Sequence, residues 1–133
     1  MNPIVKKLWL AALRSGEFLQ GRNRLFADET VISAVDRDRV TVPTHHCCLG
    51  VLCELHRREV GNPPLTHTLR YLGQAERLPK EVIAWAGLNS SDPLISSVWR
   101  ATNHNDGHVG DTLQESCTPK TFPEIAALIE ANL

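Results

Sequence analysis

The segment from His45 to Cys53 constrains the fold of this chain more than any other part of the sequence. It reads His-His-Cys-Cys-Leu-Gly-Val-Leu-Cys and holds most of the cysteines of the chain. Adjacent cysteines such as Cys47 and Cys48 rarely bridge each other, because a disulfide needs a specific Cα separation and side-chain dihedral angle. Clustered free thiols are typical of a reducing compartment, so we expect a cytoplasmic protein with free cysteines.

The apolar residues of this segment predict a short, largely buried helix from Cys48 to about His56. Either Cys47 or Cys48 would then lie at the N-terminus of that helix. A glycine inside a helix costs about 1 kcal/mol relative to alanine, so Gly50 needs a reason to be there. We expect that Gly50 allows another stretch of backbone to approach the helix closely.

Both ends of the chain carry helix signals. Asn2 can cap a helix whose first residue is Pro3, and Gly16 is suited to the position after its end. Near the other end, Thr121 and Glu124 have the spacing of a capping box, and an amphipathic apolar pattern follows them. These patterns predict one helix at each terminus.

The middle of the chain carries weaker signals for secondary structure than the two ends. β-Branched residues predict a hairpin between residues 30 and 42, and a weaker pattern suggests a short strand at residues 69–72. A helix is expected to start at Pro79 and to close at Gly87. Residues 94–102 are expected to be a strand or irregular core, and residues 103–118 a polar loop with an Asn-Asp-Gly turn.

Together these elements predict an α+β fold, in which the terminal helices pack on a short antiparallel sheet with a central Cys-rich helix. The 133 residues suit a single domain over residues 1–133. A net charge of −1, from 14 basic and 15 acidic residues, argues against binding to nucleic acid. No apolar run approaches the roughly 20 residues that span a bilayer, so no membrane partner is expected.

Four motifs follow one another along the chain: Cys47-Cys48-Leu49-Gly50-Val51-Leu52-Cys53, Leu78-Pro79-Lys80-Glu81-Val82, Asn105-Asp106-Gly107 and Thr121-Phe122-Pro123-Glu124-Ile125-Ala126. Their order resembles a group of small uncharacterised proteins encoded by bacteriophages and prophages. The resemblance implies a phage-type origin and action inside a bacterial cytoplasm, and it brings no activity with it. Members of the group commonly have an aromatic residue where His46 stands in this chain.

Three kinds of site chemistry can be weighed from the residues. A zinc site could draw on Cys53 and His56, which are three residues apart on one helix face, and on His104 and His108. These four residues lack the paired C-x₂-C spacing of a zinc ribbon. Buried structural cysteines are therefore the favoured interpretation, and no cofactor is expected.

A cysteine hydrolase is the second hypothesis. Cys47 or Cys48 would be the nucleophile, because a helix N-terminus lowers the pKa of a thiol. His104 or His108 would be the base. No recognised nucleophile signature surrounds these residues, so we lean against an enzyme.

A site for a phosphorylated ligand or nucleotide is the third hypothesis. Arg22 and Arg24 follow Gly21, with one residue between them. Guanidinium groups favour bidentate contact with phosphate. The stretch matches neither a P-loop nor a dinucleotide fingerprint. The leading expectation is a phage accessory protein that binds a host protein or associates with itself as a homo-oligomer.

Overall fold

The chain is seen in a computed structural model that describes residues 1–27, 45–65 and 69–133. The helices in these parts are α1 (Pro3–Arg14), α2 (Cys48–Val60), α3 (Lys80–Ala86), α4 (Ala101–Asp106) and α5 (Phe122–Asn132). The strands are β1 (Leu19–Gln20), β2 (Phe26–Ala27) and β3 (His45–His46). The hairpin expected between residues 30 and 42 lies outside the described residues.

Helix α2 forms the centre of the core. Every residue from Cys48 to Cys53 is buried, and the indole of Trp9 donates a hydrogen bond to the carbonyl of Cys48 at 2.9 Å. The helix is one turn longer than expected and ends before Gly61, which adopts the left-handed conformation with φ +71°. Its last turns are polar and are held by ion pairs from Arg57 and Arg58 to Glu54, the closer at 2.7 Å.

The terminal helices begin where their caps predict. The side chain of Asn2 accepts a hydrogen bond from the amide of Ile4 at 2.9 Å, and Pro3 is the first residue of α1. The amide of Thr121 donates to the Glu124 carboxylate at 2.7 Å, which closes the capping box of α5. The two helices pack chiefly on each other rather than on the sheet; α1 also packs on α2, and α5 also packs on α4.

The sheet has the order β1-β3-β2 and is mixed, not purely antiparallel as expected. Strand β3 pairs in parallel with β1 and antiparallel with β2. The pairing continues toward α2, because the amide of Cys47 donates to the carbonyl of Leu25 at 3.1 Å. The α+β class predicted from the sequence is confirmed, and β3 leads straight into the N-terminus of α2.

One expectation for the middle of the chain is wrong, and two hold only in part. Residues 69–72 form a turn instead of a strand, because Leu69 and Leu72 have positive φ angles and Tyr71 pairs only with Gln74 in an isolated bridge. The expected polar loop at 103–118 begins inside α4, which has a fully buried Asn105. For residues 94–100 the irregular alternative is confirmed, with one bridge from Leu94 to Arg100, but Ala101 and Thr102 already belong to α4.

Candidate functional site

A buried amide side chain connects the sheet to the start of α2. The Oδ1 atom of Asn105 accepts hydrogen bonds from the amide of Cys48 at 3.1 Å and from Nε2 of Gln20 at 3.2 Å. Its Nδ2 atom donates to the carbonyl of Gly21 at 2.8 Å and to the carboxylate of Asp106 at 2.6 Å. Asn105 therefore uses one of the free N-terminal amides of α2 as a structural contact.

The cysteines at the start of α2 are packed, not activated. The thiol of Cys47 caps the helix by accepting a hydrogen bond from the amide of Gly50 at 3.4 Å. Burial raises the pKa of the Cys47 thiol to about 12, and burial also raises the pKa of Cys48 and Cys53. A raised pKa keeps a thiol protonated at neutral pH, whereas a nucleophile needs the thiolate.

The two arginines considered for a phosphorylated ligand lie in different surroundings. Arg24 lines a cavity of about 110 Å³ beside Cys47, with Asn23, Glu76, Arg77, Thr102 and Asp106 around it. Arg22 is exposed and is not part of that lining. The cavity is well below the roughly 300 Å³ at which sites for whole small ligands begin. Arg77 is already paired with the buried carboxylate of Asp92.

The structure pairs His104 with a cysteine that the sequence did not single out. Its Nδ1 atom lies 3.3 Å from the thiol of Cys117, and its Nε2 atom lies 3.1 Å from the hydroxyl of Ser96. Burial lowers the pKa of His104 and raises that of Cys117, which favours a neutral imidazole beside a neutral thiol. The remaining candidate base, His108, packs its ring against Trp99 with centroids 5.4 Å apart.

The candidate zinc ligands are not brought together. His56 shares a 2.7 Å hydrogen bond with the hydroxyl of Tyr71, while Cys53 is fully buried and His104 contacts Cys117. Across residues 1–27, 45–65 and 69–133, no three His, Cys, Asp or Glu side chains are grouped to hold a metal ion.

His46 occupies an aromatic packing position. It is 7% exposed, and its ring meets those of Phe18 and Phe26 edge-on at centroid distances of 5.0 and 5.3 Å. Within residues 1–27, 45–65 and 69–133 neither ring nitrogen has a hydrogen-bond partner, and burial lowers the pKa of the imidazole. His46 therefore packs as an aromatic side chain would.

An open groove with a mixed apolar and polar lining lies beside the loop that connects α4 to α5. The groove has a volume of about 610 Å³ and is lined by Val98, Trp99, His108, Val109, Gly110, Asp111, Gln114 and Glu115. Val109 is 91% exposed, and so is Leu113 in the same loop. An isolated bridge between His108 and Cys117 closes the base of this loop. We call this surface the Val109 groove.

The sequence did not identify this groove because residues 103–118 are polar on average. The signal that could have found it is the pair Val109 and Leu113, two large apolar residues within a segment that has no helical or strand periodicity to bury them. Exposed apolar residues that cluster beside a tryptophan are typical of interaction surfaces.

The fold and this surface define a small α+β domain with a buried cysteine helix and an open groove beside the loop between α4 and α5. The chain belongs to the family described as Domain of unknown function (DUF8296), whose model matches residues 1–133. No curated protein matches the chain, and neither does any solved structure. In the described residues no helix has the length and apolar character needed to cross a membrane.

Proposed function

We propose that this protein is a phage-type accessory protein that acts by binding another protein through the Val109 groove. The single observation that carries the proposal is the groove itself, in which Val98 and Val109 are 66% and 91% exposed beside Trp99. When a partner removes exposed apolar side chains from water, the complex is stabilised by about 25 cal/mol per Å² of apolar surface. The resemblance to phage proteins supports a partner in a bacterial cytoplasm.

The edge of the groove indicates the charge of the partner. Asp111 and Glu115 belong to the lining, which contains no lysine or arginine. Neither carboxylate takes part in an ion pair within the described residues. Complementary charge steers association and excludes partners of like charge. The groove therefore favours a partner surface with apolar side chains beside basic ones.

The test compares the proteins that three forms of the tagged chain capture from bacterial cells, which also produce the untagged chain so that a second copy counts among the possible partners. The groove variant carries Val109→Gln and Leu113→Gln, and its matched control carries Val60→Gln, which changes an exposed valine at the end of α2. We expect the affinity for at least one captured partner to fall about tenfold in the groove variant alone, which corresponds to about 1.4 kcal/mol of binding free energy. Identical capture by wild type and groove variant would refute the proposal.

A second candidate function is the binding of a small phosphorylated ligand at Arg24. It is supported by the cavity of about 110 Å³ that Arg24 and Arg77 share beside the start of α2. Because the first amides of α2 already bond to Asn105 and to the thiol of Cys47, the arginines must supply most of the attraction. The cavity suits a single phosphate group better than a whole nucleotide.

This candidate is tested with inorganic phosphate and a nucleoside monophosphate in calorimetric titrations. Arg24→Ala should abolish binding, while the neighbouring Arg22→Ala, outside the cavity, should leave it within about twofold. Equal losses in both variants would show a diffuse surface effect, and no binding to the wild type would eliminate the candidate.

A further inference from the structure

Helix α1 has an outer face that nothing in the described chain covers. Ile4, Leu8 and Ala11 share that face at i, i+4 and i+7, and Ile4 is 73% exposed. The opposite face, with Val5, Trp9 and Leu13, is buried in the core. The exposed stripe is therefore additional to the apolar surface that α1 needs for folding.

A depression runs beside this stripe, between α1 and α5. It has a volume of about 470 Å³, and Leu10 and Ala11 supply apolar lining. Lys6, Lys7 and Arg14 surround it, and its single carboxylate, Glu130, is paired with Arg14 at 2.6 Å. Three cations and one carboxylate give this surface a positive balance, which is the opposite of the Val109 groove.

The loop beside the Val109 groove carries the complementary features. Leu113 is 91% exposed, and the acidic residues Asp111 and Glu115 flank it two positions away on either side. An apolar side chain between two carboxylates matches an apolar depression ringed by lysines and an arginine. The two surfaces share no residue, so one molecule can present both at once.

We propose that the occupant of the Val109 groove and its loop is a second copy of this chain, which binds through the outer face of α1. This inference rests on the proposed function and names its partner. Leu113 of one molecule would enter the depression between α1 and α5 of the next molecule. Ile4 and Leu8 of that next molecule would cover the Val109 groove of the first. A contact between two different surfaces is heterologous, so association continues as a ring or an open filament.

Sedimentation velocity on the full chain tests this with two complementary variants. The groove variant (Val109→Gln, Leu113→Gln) keeps the α1 face, and an α1 variant (Leu8→Gln, Ala11→Gln) keeps the groove. All four positions are exposed, and glutamine adds no charge and suits a helix. Circular dichroism and the melting temperature show that each variant is folded.

The expected result is that the wild type forms species larger than 14.8 kDa. Their share should rise with protein concentration. The affinity of the association should fall by at least about tenfold between 50 and 500 mM salt. Each variant alone should be monomeric, because it keeps only one of the two surfaces that form the contact. An equimolar mixture of the two should form a 1:1 dimer that does not grow further.

Three results would overturn the inference: a monomeric wild type at every concentration, association that survives in either variant, or a mixture that stays monomeric. If the wild type is monomeric but the groove variant still loses a captured bacterial protein, the proposed function stands and only the identity of the partner changes. If capture is also unaffected, both fail.

Discussion

At the scale of single residues, Asn105 shows how a polar side chain can be a core residue. It is fully buried and makes four hydrogen bonds, two of them to backbone groups at Cys48 and Gly21. Removing the amide side chain takes this partner away from the buried amide of Cys48 and from the part-buried carbonyl of Gly21. Each unsatisfied group costs about 1–3 kcal/mol.

We therefore expect Asn105→Ala to lower the free energy of unfolding by about 2–4 kcal/mol, measured by urea denaturation. The matched control is Asn132→Ala, which removes one exposed hydrogen bond to the carbonyl of Leu128. The control should change stability by less than about 0.5 kcal/mol. If both variants unfold at the same urea concentration, Asn105 is not the link between the sheet and α2.

His46 determines a pH dependence of stability. Burial lowers its pKa from the ordinary value of 6.5, so the unfolded chain binds the proton more readily than the folded one. Stability is then fully present above pH 6.5 and is lost as the pH falls below that value. His56 and His104 shift in the same direction for the same reason and add to the effect.

His46→Phe should make the protein less sensitive to acid. At pH 8 the variant should gain about 1 kcal/mol, because two buried nitrogens without partners are removed while the contacts to Phe18 and Phe26 remain. Between pH 7 and 5.5 it should lose less stability than the wild type in thermal melts. A steeper loss in the variant would show that the imidazole has a partner.

At the scale of elements, the contact between α2 and the segment before β2 depends on Gly50. A Cβ atom on Gly50 would lie 1.8 Å from the carbonyl oxygen of Leu25, which is backbone and cannot rotate away. The close approach that the sequence predicted at this glycine is confirmed. It lets the carbonyl of Leu25 accept the amide of Cys47 at the entry to α2.

Gly50→Ala should destabilise the protein by about 3 kcal/mol or more, because overpacking against backbone is at the upper end of its usual cost. Gly16→Ala is an informative comparison, since its Cβ meets nothing within 4 Å although its φ is +74°. That variant should lose only about 1 kcal/mol, from backbone strain. Equal losses in urea denaturation would mean that the approach of Leu25 relaxes freely.

The burial of α2 also predicts how the thiols react. Cys47, Cys48 and Cys53 should react with iodoacetamide only after the chain unfolds, because they are 3%, 0% and 0% exposed and their pKa values are raised. Cys117, which is 7% exposed and hydrogen-bonded to His104, should label first in native protein. Peptide mass spectrometry of timed samples reads each site, with Cys117→Ser as the control.

Fast native labelling of Cys47 or Cys48 would instead revive the hydrolase hypothesis. Denaturant-independent labelling of Cys53 would contradict the buried position of α2 altogether.

The two terminal helices were predictable from the sequence because their signals are local. Asn2, Pro3 and the pair Thr121 and Glu124 satisfy backbone groups within one turn, so their effect does not depend on the rest of the fold. The burial of Asn105 and the pairing of His104 with Cys117 depend on chain segments far apart in sequence. A polar Asn-Asp-Gly pattern indicates a turn, and only tertiary contacts make its first residue a core residue.

At the scale of the whole molecule, the His- and Cys-rich segment at residues 45–53 and the Val109 groove have separate roles. Residues 45–53 supply packing and backbone contacts, while the Val109 groove lies along the loop from His108 to Cys117. Of the cysteines, histidines and arginines weighed as site residues, His108 lies in the groove lining. Site prediction from the sequence was limited because an interaction surface consists of exposed side chains without a characteristic spacing.

The central claim is that this protein works by presenting the Val109 groove to another protein. Photo-crosslinking in bacterial cells tests it directly, with p-benzoylphenylalanine placed at Val109 and, as the control, at Val60. We predict a discrete adduct from position 109 and none from position 60, and an adduct of twice 14.8 kDa would identify a second copy. The claim is contradicted if position 109 gives no adduct, or if both positions give the same ones.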